Sequence, residues 1–165
     1  MNNLWATGKG YEVEFNDVLL EIKCHVSLGG DVFIGTDSMP RIDGCIFASA
    51  ICLHGGSGQS GGRYFYKRTV DRNKNLRSLR HRITCEVGRS IALAIRVAES
   101  NPAARVEIHI DIGATPLSKT RDLKDDLRTV NKGIRKGVKQ TMHTVTKGLK
   151  KDMAKEAIKG LTRYT

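Results

Sequence analysis

Two β-rich runs, residues 45–53 ("CIFASAICL") and 63–70 ("RYFYKRTV"), flank the glycine-rich stretch "HGGSGQSGG" at 54–62. This arrangement constrains the fold more than any other feature of the chain. A glycine-rich loop between two runs of strand length predicts an antiparallel hairpin. Alternation along the second run sets Tyr64, Tyr66 and Arg68 on one face and Phe65 and Lys67 on the other. A two-stranded hairpin is marginal in water, so the rest of the chain must supply more strands and a layer to cover them.

It has the pieces to do so. Residues 31–37 read as a strand that enters the core through Val32, Phe33 and Ile34. Residues 105–112 ("RVEIHIDI") alternate strictly. Val106, Ile108, Ile110 and Ile112 face one way, and Glu107, His109 and Asp111 face the other. Helical spacing appears twice. Phe15, Val18, Leu19, Ile22 and Val26 place a helix within residues 11–27, stopped by Gly29-Gly30. A longer stripe from Leu76 to Ala98 places a helix over about 76–99, ended by Asn101-Pro102. From Leu117 onward the pattern is basic and mostly helical, with a short fifth strand near 138–146. The expected fold is one α/β domain over residues 1–165, a mixed five-stranded sheet with helices on both faces.

Charge narrows the function. Among 28 basic and 17 acidic residues, 8 basic and 1 acidic fall within residues 63–82, and 14 basic and 5 acidic within 119–165. The rest of the chain is mildly acidic. Two segregated basic blocks point to a polyanion, nucleic acid first. Arg63, Lys67, Arg68, Arg72, Lys74, Arg77 and Arg80 in the first block, and Lys132, Arg135, Lys136 and Lys139 in the second, are the expected phosphate contacts. No apolar run approaches the ~20 residues of a membrane helix, and residues 1–15 contain no apolar core of a signal peptide. Cys24, Cys45, Cys52 and Cys85 form no CxxC pair and read as reduced thiols of a cytoplasmic protein.

Three carboxylates sit where chemistry is expected. Asp37 follows the first core strand in "VFIGTDSM", Asp111 lies near the end of the fourth, and Glu86 borders the apolar stripe of the long helix. A buried charge must be paired or must hold a metal. If the two strands are neighbours, one helix laid across them gathers all three acids. An all-oxygen cluster suits Mg²⁺ or Mn²⁺. With basic residues around it, such a cluster describes two-metal phosphodiester hydrolysis. Singly, each acid has an ordinary reading: Asp37 as a turn cap, Glu86 paired with Arg82 or Arg89, Asp111 as a loop acceptor. His109, on the strand face of Asp111, is placed either as a catalytic residue that orients a water or contacts a phosphate, or as a structural histidine bonded to a neighbouring carboxylate.

The segments "FIGTDS", "GRYFYKR", "RITCEVGRS" and "IHIDIG", in this order and spacing, resemble the YkuK family of predicted nucleases with the ribonuclease H-like fold. The resemblance spans about residues 12–135. It implies a sheet with strand one central, the first three strands antiparallel and helices on both faces. It implies a metal-binding carboxylate set, which by motif falls on Asp37, Glu86 and Asp111. The family's tail carries a lysine-proline step and then a helix that supplies a fourth acid. Here no proline follows Pro116, and "TKGLKKDMAKEAIKGLTRY" offers Asp152, or Glu156. The expected activity is thus a Mg²⁺- or Mn²⁺-dependent endonuclease. The alternative is a non-catalytic nucleic-acid-binding module on the same fold. RNA, an RNA–DNA hybrid, single-stranded DNA and branched DNA all remain open as substrates, and symmetric cutting of a junction would require a homodimer.

Overall fold

In the computed structural model, which describes residues 4–111, the hairpin seen in the sequence is the middle of a larger sheet. Strand β1 (Leu4–Thr7) and strand β2 (Glu12–Glu14) precede helix α1 (Phe15–Ser27). Strands β3 (Asp31–Arg41), β4 (Gly44–His54) and β5 (Arg63–Asp71) follow, then a 3-10 turn (Lys74–Arg77), helix α2 (Leu79–Ser100) and strand β6 (Val106–His109). The sheet order is β2-β1-β5-β4-β3-β6. All pairings are antiparallel except β3 with β6, which is parallel.

The sheet therefore has six strands among the described residues rather than the five expected. The two additional ones, β1 and β2, hold four and three residues, too short for alternation to stand out. Residues 11–14 are consequently not helical. Glu14 keeps an extended backbone as the N-cap, and α1 starts at Phe15. The possible strand near 138–146 lies outside the described residues. Strand β3 also runs past Asp37 to Arg41, through Pro40. Its pairing with β6 ends at Gly35. Beyond that point β3 has no partner on that side among the described residues, and a proline's missing N–H is tolerated at such an edge. Gly44 then closes the β3–β4 turn, where a Cβ would lie 2.3 Å from the Asp71 carbonyl oxygen.

Alternation decides which face is covered. Val32, Ile34, Ile51, Leu53, Phe65 and Ile108 point to one side and are buried. They form a single core with Phe15, Val18 and Ile22 of α1 and with Ile83, Val87 and Ile91 of α2. Both described helices thus cover the same face. Burying each such side chain contributes about 1.5–3 kcal/mol. A smaller cluster, Cys45, Phe47 and Leu76, closes the end of the sheet where the 3-10 turn packs. The opposite face carries no described helix, and residues 112–165, where the second layer was expected, are outside the described set. Among the described residues no helix is long and apolar enough to cross a membrane, and the four cysteines are free thiols.

The glycine-rich segment that joins β4 to β5 is tied to α1. His25 of α1 is buried, and its Nε2 lies 3.2 and 3.1 Å from the carbonyl oxygens of Asp31 and His54. Its Nδ1 lies 3.0 Å from Gln59 Oε1 in the loop, and the Ser57 N–H donates to the Leu28 carbonyl. The fit is close, because a Cβ on Gly30 would come within 2.0 Å of His25 Nε2.

Candidate active site

The parallel pairing of β3 with β6 is what gathers the acids. Gly35 lies opposite His109. The paired register ends there, and Asp37 and Asp111 each follow two residues beyond it on their own chain segments. Both side chains are exposed. One oxygen of Asp37 accepts the Ser38 backbone N–H at 2.7 Å, a local turn contact that leaves the rest of the carboxylate available.

Glu86 comes from the other layer. It sits in the second turn of α2 and is only 8% exposed. The alternation that turns Asp37 outward turns Ser38 inward, and the Ser38 hydroxyl donates to Glu86 Oε1. Burial pushes the Glu86 carboxyl above its ordinary value. The Ser38 hydrogen bond opposes this rise, the Asp37 charge adds to it, Arg82 opposes it, and Asp111 adds to it. Asp37 and Asp111 thus both act electrostatically on Glu86.

The ordinary reading of Glu86 as a partner of Arg82 or Arg89 is not what the structure shows. The Arg82 guanidinium donates to the carbonyls of Leu76 and Arg77 at 3.3 and 3.2 Å and fastens the 3-10 turn. Arg89 lies over the Phe47 ring, 4.0 Å from its centroid, and bonds Thr69 at 2.8 Å and Asp71 at 3.2 Å. Both arginines brace the layer beneath the acids. Ser38 is the site residue that sequence reasoning passed over. Its signal was its place beside Asp37, but its partner lies 48 positions away.

His109 is not brought to the acids by any contact. Its ring lies edge-on to Phe33, 5.2 Å between centroids, and its Nε2 is 4.0 Å from Glu107. Asp152 and Glu156 lie outside the described residues, as do Lys132, Arg135, Lys136 and Lys139. Of the first basic block, Arg72, Lys74, Arg77 and Arg80 are exposed and lead into α2 ahead of Glu86. Arg63 pairs with Glu21 at 2.6 Å. Arg68 is exposed beside Tyr66, 5.7 Å from the ring centroid. Lys67 is different. It pairs with Ser49 on the helix-covered face, where burial, followed by repulsion from Arg96, lowers its pKa against the pull of Glu14. It does not face the same solvent as Arg68.

Among the described residues, no three His, Cys, Asp or Glu side chains form a group able to hold a metal ion by themselves. The donors present nonetheless fit a hard cation. They are carboxylate oxygens, and Mg²⁺ typically takes one or two carboxylates and completes its shell with water and substrate phosphate.

An antiparallel β3–β4–β5 meander, a fourth strand added parallel to its first, and carboxylates where those two strands meet under a crossing helix define a ribonuclease H-like protein. A family model described as Ribonuclease H-like matches residues 15–157, and the chain belongs to this family, the YkuK family. No curated protein and no solved structure matches the chain.

Proposed function

We propose that this protein is a divalent-metal-dependent nuclease that hydrolyses phosphodiester bonds. The observation that supports this reading most is Glu86: a nearly buried carboxylate, held by a serine hydroxyl, that feels the like charges of Asp37 and Asp111. Such an arrangement is costly unless a cation balances it. Asp37, Glu86 and Asp111 would hold the ion, with Asp152 or Glu156 as a fourth acid. A bound Mg²⁺ or Mn²⁺ supplies Lewis-acid activation of water and charge stabilisation at the leaving oxygen. The chain's own residues do the rest. Ser38 orients Glu86, α2 keeps that carboxylate away from bulk water, and the exposed Arg72, Lys74, Arg77 and Arg80 hold the nucleic-acid backbone without reading its sequence.

The test is cleavage of labelled RNA, RNA–DNA hybrid, single-stranded DNA, duplex and four-way DNA with Mg²⁺, with Mn²⁺ and with chelator. The Asp37→Asn protein runs beside the wild type, and circular substrates separate endonucleolytic from exonucleolytic attack. The expected result is metal-dependent cleavage lost in the variant. Salt-sensitive binding without cleavage under either metal would replace the nuclease by the non-catalytic binding module.

A further inference from the structure

Among the described residues, the sheet face that no helix covers is the one that carries Asp37, and its relief follows from strand register. Asp37 lies opposite Ala48, and Ala48 opposite Arg68. The next row along the sheet is His109, Gly35, Ala50, Tyr66 and Ala6. The row after that holds Glu107, Phe33, Cys52 and Tyr64. Adjacent strands stand about 4.8 Å apart. Arg68 and Asp37 are therefore about 10 Å apart at the backbone, and Tyr66 and His109 about 14 Å.

The floor between them is low, because Gly35, Ala48 and Ala50 raise nothing above the sheet. One wall is the line Tyr64, Tyr66, Arg68. The other is His109 against Phe33. The two tyrosine rings lie 6.3 Å apart, tilted 33° to each other. Tyr64 is 47% exposed, and its ring is set against the backbone of Gly8, where a Cβ would lie 2.7 Å from it.

We infer that this face is a track for single-stranded nucleic acid, with unpaired bases stacking on Tyr64 and Tyr66, Arg68 on the backbone, and the strand leading to Asp37. Paired bases lie inside a duplex with their faces taken, so a stacking platform selects single strands. Base–aromatic stacking tolerates any sequence, and a cation beside the rings supplies the phosphate contact. The track deepens the nuclease reading by naming its substrate class, and its binding step can be measured without cleavage.

The experiment is fluorescence anisotropy on the full chain in chelator, with labelled oligo(dT), oligo(U) and a duplex of equal length. Single strands of both chemistries should bind more tightly than the duplex. Tyr64→Ala and Tyr66→Ala should each weaken single-strand binding about 5- to 150-fold. Both should leave duplex binding, carried by the basic segment before α2, unchanged. Tyr66→Phe should keep the affinity, because stacking needs the ring and not the hydroxyl.

Alanine variants that bind single strands like wild type overturn the track. So does a duplex bound as tightly as single strands. A fall in melting temperature for Tyr66→Ala with single-strand affinity intact also overturns it, and would show that other parts of the chain cover this face. The two readings fail separately. Wild-type protein that shows the tyrosine-dependent preference but never cleaves keeps the track and removes the nuclease. Metal-dependent cleavage with tyrosine-independent binding does the reverse.

Discussion

Replacing Ser38 with alanine removes one hydroxyl and leaves the β3 backbone intact. What it takes away is the donor to Glu86, a carboxylate only 8% exposed and bordered by two further acids. Hydrogen bonds to charged groups contribute about 1.5–3 kcal/mol, more when the group left behind is buried. Ser38 is itself partly exposed, so water can replace some of the loss, and the lower end of that range applies. For a chain of this size, about 1.5 kcal/mol lowers the melting temperature by about 3–6 °C.

The loss depends on pH, and the direction follows from Glu86. Its folded pKa is raised above the ordinary carboxylate value, by burial first. Ionising it therefore costs stability as pH rises through that value, whereas the protonated form on the acid side does not. Ser38 opposes the rise, so its removal widens the cost above the Glu86 pKa and matters less below it. Thermal unfolding of wild type and Ser38→Ala, in chelator, should separate near neutral pH and converge in mildly acidic buffer. An equal loss at both pH values would reduce Ser38 to a packing residue. No loss at neutral pH would refute the hydrogen bond as a support of Glu86.

Other outcomes follow from the same arrangement. Glu86→Gln removes a charge whose burial is unfavourable, so in chelator at neutral pH it should melt above wild type while abolishing cleavage, read by calorimetry and by gel. Gly30→Ala forces a Cβ to 2.0 Å from His25 Nε2. It should cost about 1–3 kcal/mol in denaturant unfolding and expose the 54–62 loop to protease. Ile51→Ala opens a cavity at the centre of the main core and should lower stability by about 2–5 kcal/mol with the same m-value.

How far the sequence went is explained by range of interaction. Residues 45–53 and 63–70 declared themselves because β-rich runs of that length around a glycine loop admit few folds. The α2 stripe did so because Ile83, Val87 and Ile91 keep helical spacing over several turns. Leu4–Thr7 and Glu12–Glu14 were invisible, since strands of four and three residues take their identity from neighbours: β1 exists because Ala6 and Thr7 pair with Tyr66 and Phe65. Pro40 masked the last residues of β3, since only the end of the β6 pairing shows that no other described strand needs an N–H there. Asp37, Glu86 and Asp111 stood out as acids at the edge of core elements, but which of them is buried was not readable: Asp37 and Asp111 are exposed and Glu86 is not. Ser38 did not stand out, because its partner is fixed by how α2 lies on the sheet. Lys67 shows a different limit. Its face was readable from alternation, but that this face lies under the helices, with Arg96 near it, is a tertiary fact.

The central claim is that Asp37, Glu86 and Asp111 all contribute to holding divalent metal. The most direct measurement is Mn²⁺ binding to the full chain, followed by electron paramagnetic resonance, for wild type and for Asp37→Asn, Glu86→Gln and Asp111→Asn. The account predicts saturable binding by wild type that each of the three substitutions weakens. Binding unchanged in all three variants, with cleavage equally unchanged, would contradict it.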